Sequence, residues 1–157
     1  MAVSHEEFRQ ALGRFASGVT VVTCKSDDGN PCGLTVSAFS SLSLEPPLVL
    51  ICIDRRASVY ENLKEGCCFA VNVLAQDQES ISRRLASRDE DRFKGIGYRE
   101  GKTGAPLIEG AVAFIECRVV HSYPGGDHTI FVGEVEYSEV NEGKPLLYFR
   151  GGYSSIA

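Results

Sequence analysis

His128 follows Asp127 directly and opens a run that alternates between apolar and polar residues, in the stretch GGDHTIFVGEV. Histidine changes charge near neutral pH, so the candidate bases of this chain are His128, His121 and His5. A metal site would need several ligands at spacings such as HxH, and adjacent strand residues such as Asp127 and His128 point to opposite faces. We therefore predict no metal site, and the pattern leaves His128 open between a turn residue and a catalytic one.

Hydroxyl side chains are concentrated in residues 33–43, GLTVSAFSSLS, between two apolar runs. Hydroxyls and backbone N–H groups at a strand end can bind a phosphate or the polar edge of a heterocycle without any net charge. An exposed serine-rich loop is the alternative interpretation.

Arginines occur in two places that could bind an anion. Arg55, Arg56 and Ser58 come directly before a predicted helix that ends at Gly66, where free N–H groups attract phosphate. The second segment, SRRLASRDEDRF, mixes arginines with acidic residues, a composition typical of solvated helix faces and loops. Neither a GxGxxG nor a GxxxxGK[ST] motif is present, so neither a Rossmann nor a P-loop nucleotide site is indicated.

The elements that must position these residues begin with a helix. Ser4 and Glu7 form a predicted capping box, and apolar residues recur at helical spacing until Gly18. A hairpin follows around the turn DDGN, and LVLICI, residues 48–53, is apolar throughout, as expected of a strand covered on both faces.

The rest of the chain alternates between short strands and turns. CCFAVNVL predicts a strand, Asp77 is the predicted N-cap of a second helix, and residues 94–106 are predicted to be mostly loop. Three further strands follow, in AVAFIECRVVHSY, HTIFVGEVEYSEV and PLLYF. Many strands, short turns and few helices favour a closed or nearly closed antiparallel barrel over a parallel sheet.

Composition limits the class of protein. With 157 residues, 43% of them apolar, we expect a single domain, 1–157, around one core. The net charge of -5 argues against electrostatic binding of nucleic acid. No apolar run is long enough for a membrane span and the start is charged, so we expect a cytoplasmic protein. The six cysteines show no CxxC spacing and are interpreted as small, mostly buried hydrophobic residues.

Three motifs in order, GLTVSAFSSLSLEPPLVLICI, GDHTIFVGEV and PLLYFRGGY, resemble the short-chain flavin reductase family. Members are the NAD(P)H:flavin oxidoreductase components of two-component flavin-dependent monooxygenases. The resemblance runs from Phe8 to Tyr153. It implies a mainly β fold with flanking helices, namely an antiparallel, Greek-key split β-barrel of the FMN-binding type. It also implies a homodimer, with FAD or FMN near the dimer interface.

The resemblance also implies which residues bind the cofactors. Those expected at the flavin are Thr35, Val36, Ser37, Ala38, Ser41, Cys52, Ile53, Arg55, Arg56, Ser58, Arg83, Ser87 and Arg92. Those expected at the nicotinamide nucleotide are His128, Tyr148, Arg150 and Tyr153. No residue is assigned as an acid or base, because hydride passes between the two cofactors, and His128 is expected to position the nicotinamide.

The function implied is hydride transfer from NADH, with NADPH as the second candidate, to FAD or FMN. NADH is favoured because no dedicated basic pair for a 2′-phosphate stands out in the tail. Reduced flavin would then diffuse to a separate monooxygenase. The alternatives are a split-barrel flavin-binding protein without turnover and a flavin-linked oxidase of the pyridoxamine-oxidase type. His128 and the YFRGGY tail favour the reductase, since a pure binder would not need them.

Overall fold

The computed structural model describes residues 2–157. In chain order its helices are α1 (His5–Leu12) and α2 (Glu79–Leu85), with a 3-10 helix at Tyr60–Asn62. Its strands are β1 (Ser17–Gly18), β2 (Thr20–Lys25), β3 (Pro31–Val36), β4 (Phe39–Ser43), β5 (Leu48–Asp54), β6 (Cys68–Val73), β7 (Tyr98–Glu100), β8 (Pro106–Ile108), β9 (Ala113–Gly125), β10 (His128–Val140), β11 (Leu146–Phe149) and β12 (Gly152–Ser155).

Seven strands form the main antiparallel sheet, in the order β3-β2-β6-β9-β10-β5-β4. The strands at its two ends, β3 and β4, follow each other in the chain, and the N–H of Cys52 in β5 donates to the carbonyl of Ala38 between them at 3.0 Å. Val22 and Val36 from one end of the sheet pack in the same core cluster as Val49 from the other end. The sheet is therefore curled around one core, as expected of a split barrel, and the predicted fold class is confirmed.

Two smaller sheets accompany the main sheet. β1, β11 and β12 form one of them, and β7 pairs with β8 in the other. The buried Asn72 connects three strands: its Nδ2 donates to the carbonyl of Val21 at 2.9 Å, and its Oδ1 accepts from the N–H of Ile108 at 2.8 Å. Such bonds satisfy a polar side chain that would otherwise be costly to bury.

The first helix begins as predicted and ends earlier. Glu7 N–H donates to Ser4 Oγ at 3.1 Å and Ser4 N–H to Glu7 Oε2 at 2.8 Å, which confirms the capping box. The helix stops at Leu12, not at Gly18, because Gly13 is its C-cap and the chain continues into β1.

Two other predictions about elements were wrong. The helix predicted after Ser58 is a single 3-10 turn with Val59 and Leu63 buried, so no helix N-terminus stands beside the arginines. The second helix has Gln78 at its N-cap instead of Asp77, and the Gln78 side chain bonds Ala75 and Glu109. The segment predicted as mostly loop, 94–106, is mostly loop and also contains the short strand β7.

β5 is covered on one face only within this chain. Val49, Ile51 and Ile53 are buried, whereas the alternating positions from Leu48 to Asp54 are half-buried.

No helix in the described part of the chain is long and apolar enough to cross a membrane.

Candidate functional site

The predicted site residues lie in three neighbourhoods, and the first is the end of the β5–β10 ladder. His128 pairs with Asp54 in the strand register, and the N–H of Arg55 donates to the carbonyl of Asp127 at 3.2 Å. His128 Nδ1 lies 2.7 Å from Asp127 Oδ1. The two side chains can meet because Asp127 belongs to the turn before β10. The expectation that adjacent strand residues point to opposite faces therefore does not apply to Asp127 and His128.

Two carboxylates flank His128 in this neighbourhood. The hydrogen bond from His128 lowers the pKa of Asp127, and bonds from the Arg56 side chain and backbone hold the pKa of Asp54 far below its usual range. An ionised carboxylate only accepts hydrogen bonds, so His128 carries its proton on Nδ1 in this contact. The orientation of the imidazole is therefore fixed through Nδ1, and Nε2 is left for a ligand.

The second neighbourhood joins three predicted flavin residues that are distant in sequence. Arg92 donates from Nη2 to Ser58 Oγ and from Nη1 to the Ser87 carbonyl at 2.9 Å. Ser87 Oγ donates to the Arg84 carbonyl at 2.7 Å. A guanidinium and two hydroxyls thus stand together at the surface, a donor set suited to phosphate.

The third neighbourhood joins α2 to β3 and to the tail. Thr35 Oγ1 donates to the carbonyl of Ser82 at 2.7 Å, and Ser82 Oγ lies 2.7 Å from the Tyr153 hydroxyl. Arg83 Cζ lies 4.8 Å above the Tyr153 ring. Tyr148 meets Tyr153 edge to face, with ring centroids 5.3 Å apart. Two predicted flavin residues, Thr35 and Arg83, and two predicted nicotinamide residues therefore share one surface.

The arginines differ in what they contact. Arg56 forms an ion pair with Asp54 at 2.8 Å and Arg83 one with Glu79 at 2.8 Å. Within residues 2–157, neither Arg55 nor Arg92 has a carboxylate partner. Because an ion pair already compensates the charge of Arg56 and of Arg83, Arg55 and Arg92 are the stronger candidates for a phosphate ligand.

The remaining predicted residues differ in exposure. The side chains of Val36 and Ile53 are buried in the core, so only their backbone groups can contact a ligand. Cys52 is half-buried, and Ser37, Ala38 and Ser41 are exposed along the β3–β4 connection.

Arg150 lies in the turn between β11 and β12. Its φ of 55° is in the left-handed region, and its N–H donates to the Gly13 carbonyl at 2.7 Å. Among the described residues, no hydrogen bond, ion pair or aromatic contact joins Tyr148, Arg150 or Tyr153 to His128. Their shared role at the nicotinamide nucleotide stays a prediction.

Two residues of these neighbourhoods were absent from the sequence-based prediction. Asp54 was detectable, since it ends an apolar strand immediately before Arg55 and Arg56. Ser82 is fully buried inside α2 and carries no local signal, because its importance comes from contacts with Thr35 and Tyr153.

The second neighbourhood fits a flavin nucleotide by the chemistry of its donors. Arg92 with Ser58 and Ser87 suits the phosphate, and outside the three neighbourhoods the half-buried Cys52 beside the exposed Ala38 offers apolar surface for a ring. No group of three or more His, Cys, Asp or Glu side chains within residues 2–157 could hold a metal ion.

Comparison with known proteins identifies the family of this chain. Residues 12–157 match the family model described as the flavin reductase like domain. The reductase component of 4-hydroxyphenylacetate 3-monooxygenase from Thermus thermophilus is 44% identical over 152 residues, covering 96% of this chain and 96% of that protein. An NADH-dependent flavin reductase from a Rhodococcus species is 42% identical over 153 residues, covering 94% of this chain and 84% of that protein.

Solved structures show the same architecture. An NADH:FAD oxidoreductase from Streptomyces globisporus, in complex with NAD and FAD fragments, superposes with a TM-score of 0.92 at 39% identity. The match covers 98% of this chain and 93% of that one. Because the family model spans nearly the whole chain and relatives above 40% identity match over at least 94% of this chain, this chain belongs to the flavin reductase-like family.

Proposed function

We propose that flavin lies along the junction of β3, β4 and β5, with its phosphate held by Arg92, Ser58 and Ser87. The observation that carries this proposal is the Arg92 guanidinium, which bonds a hydroxyl and a carbonyl and has no carboxylate partner within residues 2–157. Arg55 stands three residues from Ser58 and adds a second free cation. A charge-assisted bond to phosphate contributes about 1.5–3 kcal/mol, so these arginines dominate the affinity for the phosphate end.

The chain is an NAD(P)H:flavin oxidoreductase. When bound, NADH supplies the hydride and the flavin accepts it. We infer that the protein's own residues orient the two molecules: His128, fixed by Asp127, positions the nicotinamide, and the exposed Ala38 and half-buried Cys52 lie along the flavin ring. No side chain is needed as an acid or base for the hydride itself.

Reduced flavin is supplied to a separate monooxygenase. We infer that it travels by diffusion, and that NADH is preferred because the tail offers no dedicated basic pair for a 2′-phosphate. The choice between FAD and FMN is open to a crossed assay of Michaelis constants.

We also propose a homodimer in the cytoplasm. The half-buried face of β5 and the exposed side chains of Phe15, Leu44 and Val140 leave apolar surface that a second copy would cover. All six cysteines are free, which suits a reducing compartment.

Steady-state kinetics of two variants test the proposed site. Arg92→Gln removes the unpaired cation and is expected to raise KM for flavin about tenfold or more while KM for NADH stays within about twofold. His128→Ala is expected to do the reverse, with KM for NADH raised about tenfold and flavin affinity unchanged.

Arg88→Gln is the matched control for the first variant, since Arg88 is an exposed arginine of the same segment and forms no ion pair among the described residues. Both constants should stay at the wild-type value in this control. If Arg92→Gln and His128→Ala each shift both constants together, the two residues are structural and the proposed division of the site is wrong.

A further inference from the structure

Cys24 and Cys32 face each other across the β2–β3 hairpin. They are directly opposite in the strand register, and their sulfur atoms lie 3.1 Å apart. Directly opposite residues of neighbouring strands present their side chains on the same face of the sheet. The two thiols are therefore in contact without any change of backbone.

The backbone spacing at this position is compatible with a disulfide. Ser26 N–H donates to the Asn30 carbonyl, and Pro31, opposite Lys25, has no N–H to donate. Hydrogen-bonded and non-hydrogen-bonded pairs alternate along an antiparallel ladder, so Cys24 and Cys32 form a hydrogen-bonded pair with Cα atoms roughly 5.5 Å apart. Disulfides span Cα separations of about 4.4–6.8 Å.

The surroundings of the two sulfurs differ in a way that favours one as nucleophile. Cys24 is 1% exposed, whereas Cys32 is half-buried and accepts a hydrogen bond from Asn62 Nδ2 at 3.5 Å. The hydrogen bond between the two thiols raises the pKa of Cys24 and lowers that of Cys32, and Arg92 lowers the pKa of Cys32 further. Cys32 Sγ also lies 3.2 Å from the carbonyl oxygen of Cys24. Thiolate is the reactive form of cysteine, so Cys32 is the attacking sulfur.

We propose that Cys24 and Cys32 are a dithiol site that hydrogen peroxide oxidises to a disulfide. The peroxide source rests on the proposed function: reduced flavin that meets oxygen before the monooxygenase passes two electrons and two protons to it, giving oxidised flavin and hydrogen peroxide. Oxidation of the cysteine pair therefore indicates that the partner monooxygenase has not consumed the reduced flavin. Disulfides in reducing compartments are usually transient and redox-sensing, which matches this use.

The steps balance. The Cys32 thiolate attacks one peroxide oxygen, an S–O bond forms, the O–O bond breaks, and the leaving hydroxide takes a proton to become water. The Cys24 sulfur then attacks the Cys32 sulfur, the S–S bond forms, the S–O bond breaks, and a second water leaves with the Cys24 proton. Two thiols are oxidised by two electrons and one peroxide is reduced to two waters.

Thiol counting on the whole protein tests the site directly. The reduced protein is treated with a small excess of hydrogen peroxide, alkylated and digested with trypsin, which cuts after Lys25 between the two cysteines. We expect two alkylation sites to be lost, the chain mass to fall by two hydrogen atoms, and the peptides carrying Cys24 and Cys32 to migrate as one species until dithiothreitol separates them.

Variants show whether the pair is specific. Cys67→Ser, a matched control at another half-buried cysteine, should still form the disulfide, and Cys32→Ser should leave Cys24 as a free thiol. Cys24→Ser should leave a sulfenic acid on Cys32 that dimedone traps. The proposal is overturned if all six cysteines are still alkylated after peroxide, or if another pair cross-links instead.

A second arm tests the source of peroxide. Wild-type protein turning over NADH and flavin in air is expected to form the same disulfide, and catalase is expected to prevent it. If NADH is consumed in air but the thiols stay reduced, the assigned source is wrong. If NADH is not consumed at all, the reductase function fails, while the arm with added peroxide still decides the dithiol site.

Discussion

At the scale of single residues, phosphate binding at the proposed site depends on which arginines already form an ion pair with a carboxylate. The segment before residue 59 made Arg55 and Arg56 candidates for phosphate, and the family resemblance added Arg83 and Arg92. Residue type does not rank the four, because a guanidinium looks the same in any sequence. The fold separates them by bringing Asp54 to Arg56 and Glu79 to Arg83. Such pairing follows from the backbone path and cannot be predicted from residue type.

The carboxylate of Asp54 gives a test in acid. Its pKa is lowered in the folded protein, chiefly by Arg56, so its contribution to stability is present above the unfolded pKa of about 3.9 and is lost as the pH falls below that value. We expect the melting temperature of Asp54→Asn to be lower than that of wild type near neutral pH and to fall less steeply between about pH 5 and pH 3.

Melting curves across that pH range, followed by circular dichroism, provide the measurement. Asp28→Asn, in the exposed β2–β3 turn, is the control and should follow the wild-type profile. Parallel profiles for Asp54→Asn and wild type would contradict a stabilising role for the bonds from Arg56.

At the scale of elements, strands were predicted more accurately than helices. The hairpin of β2 and β3 and the strands β5, β6, β9, β10 and β11 lie where alternation and turn residues predicted them. The helix predicted after Ser58 failed because residues 55–67 must connect β5 to β6 while Val59 and Leu63 stay in the core, and a 3-10 turn allows this. Tertiary packing overrode local composition there.

The junction of α2, β3 and β12 is held by a bond that sequence could not reveal. Ser82→Ala removes the contact with Tyr153 and is expected to lower the free energy of unfolding by about 1 kcal/mol. Tyr153→Phe removes the same bond from the other side. The double variant should therefore lose less than the sum of the two single losses.

Denaturant unfolding of the four proteins gives this coupling energy. A coupling of about 0.5–1.5 kcal/mol is expected for one neutral hydrogen bond. If the losses of unfolding free energy in the two single variants add up to the loss in the double variant, Ser82 and Tyr153 do not interact in solution. That result would contradict the proposed contact between α2 and β12.

At the scale of the whole molecule, the exposed apolar surface predicts self-association. Leu44 is 91% exposed beside the edge strand β4, and Phe15 is 80% exposed after α1. We expect sedimentation to give twice the chain mass of 17.1 kDa, and Leu44→Glu to shift the equilibrium toward monomer because a charge on a covered apolar surface is costly. Glu45→Gln, at the adjacent position, should stay dimeric; a wild-type monomer at micromolar concentration would overturn the proposal.

The barrel, the family and the chemistry were all predictable from the sequence, because the three motifs and their order can be identified in the linear sequence. The grouping of site residues was not. Ser58 lies 34 positions from Arg92, and only the fold brings the two side chains into contact. The same holds for Thr35 and Ser82, which are 47 positions apart.

This chain reduces flavin catalytically with NADH. The direct measurement is the visible absorbance of free flavin in large excess over the protein, followed without oxygen after NADH is added. We predict that the colour is lost over many turnovers and that Arg92→Gln slows the loss at low flavin concentration. Bleaching limited to one flavin per chain, or no bleaching, would contradict the claim and leave a flavin-binding protein without turnover.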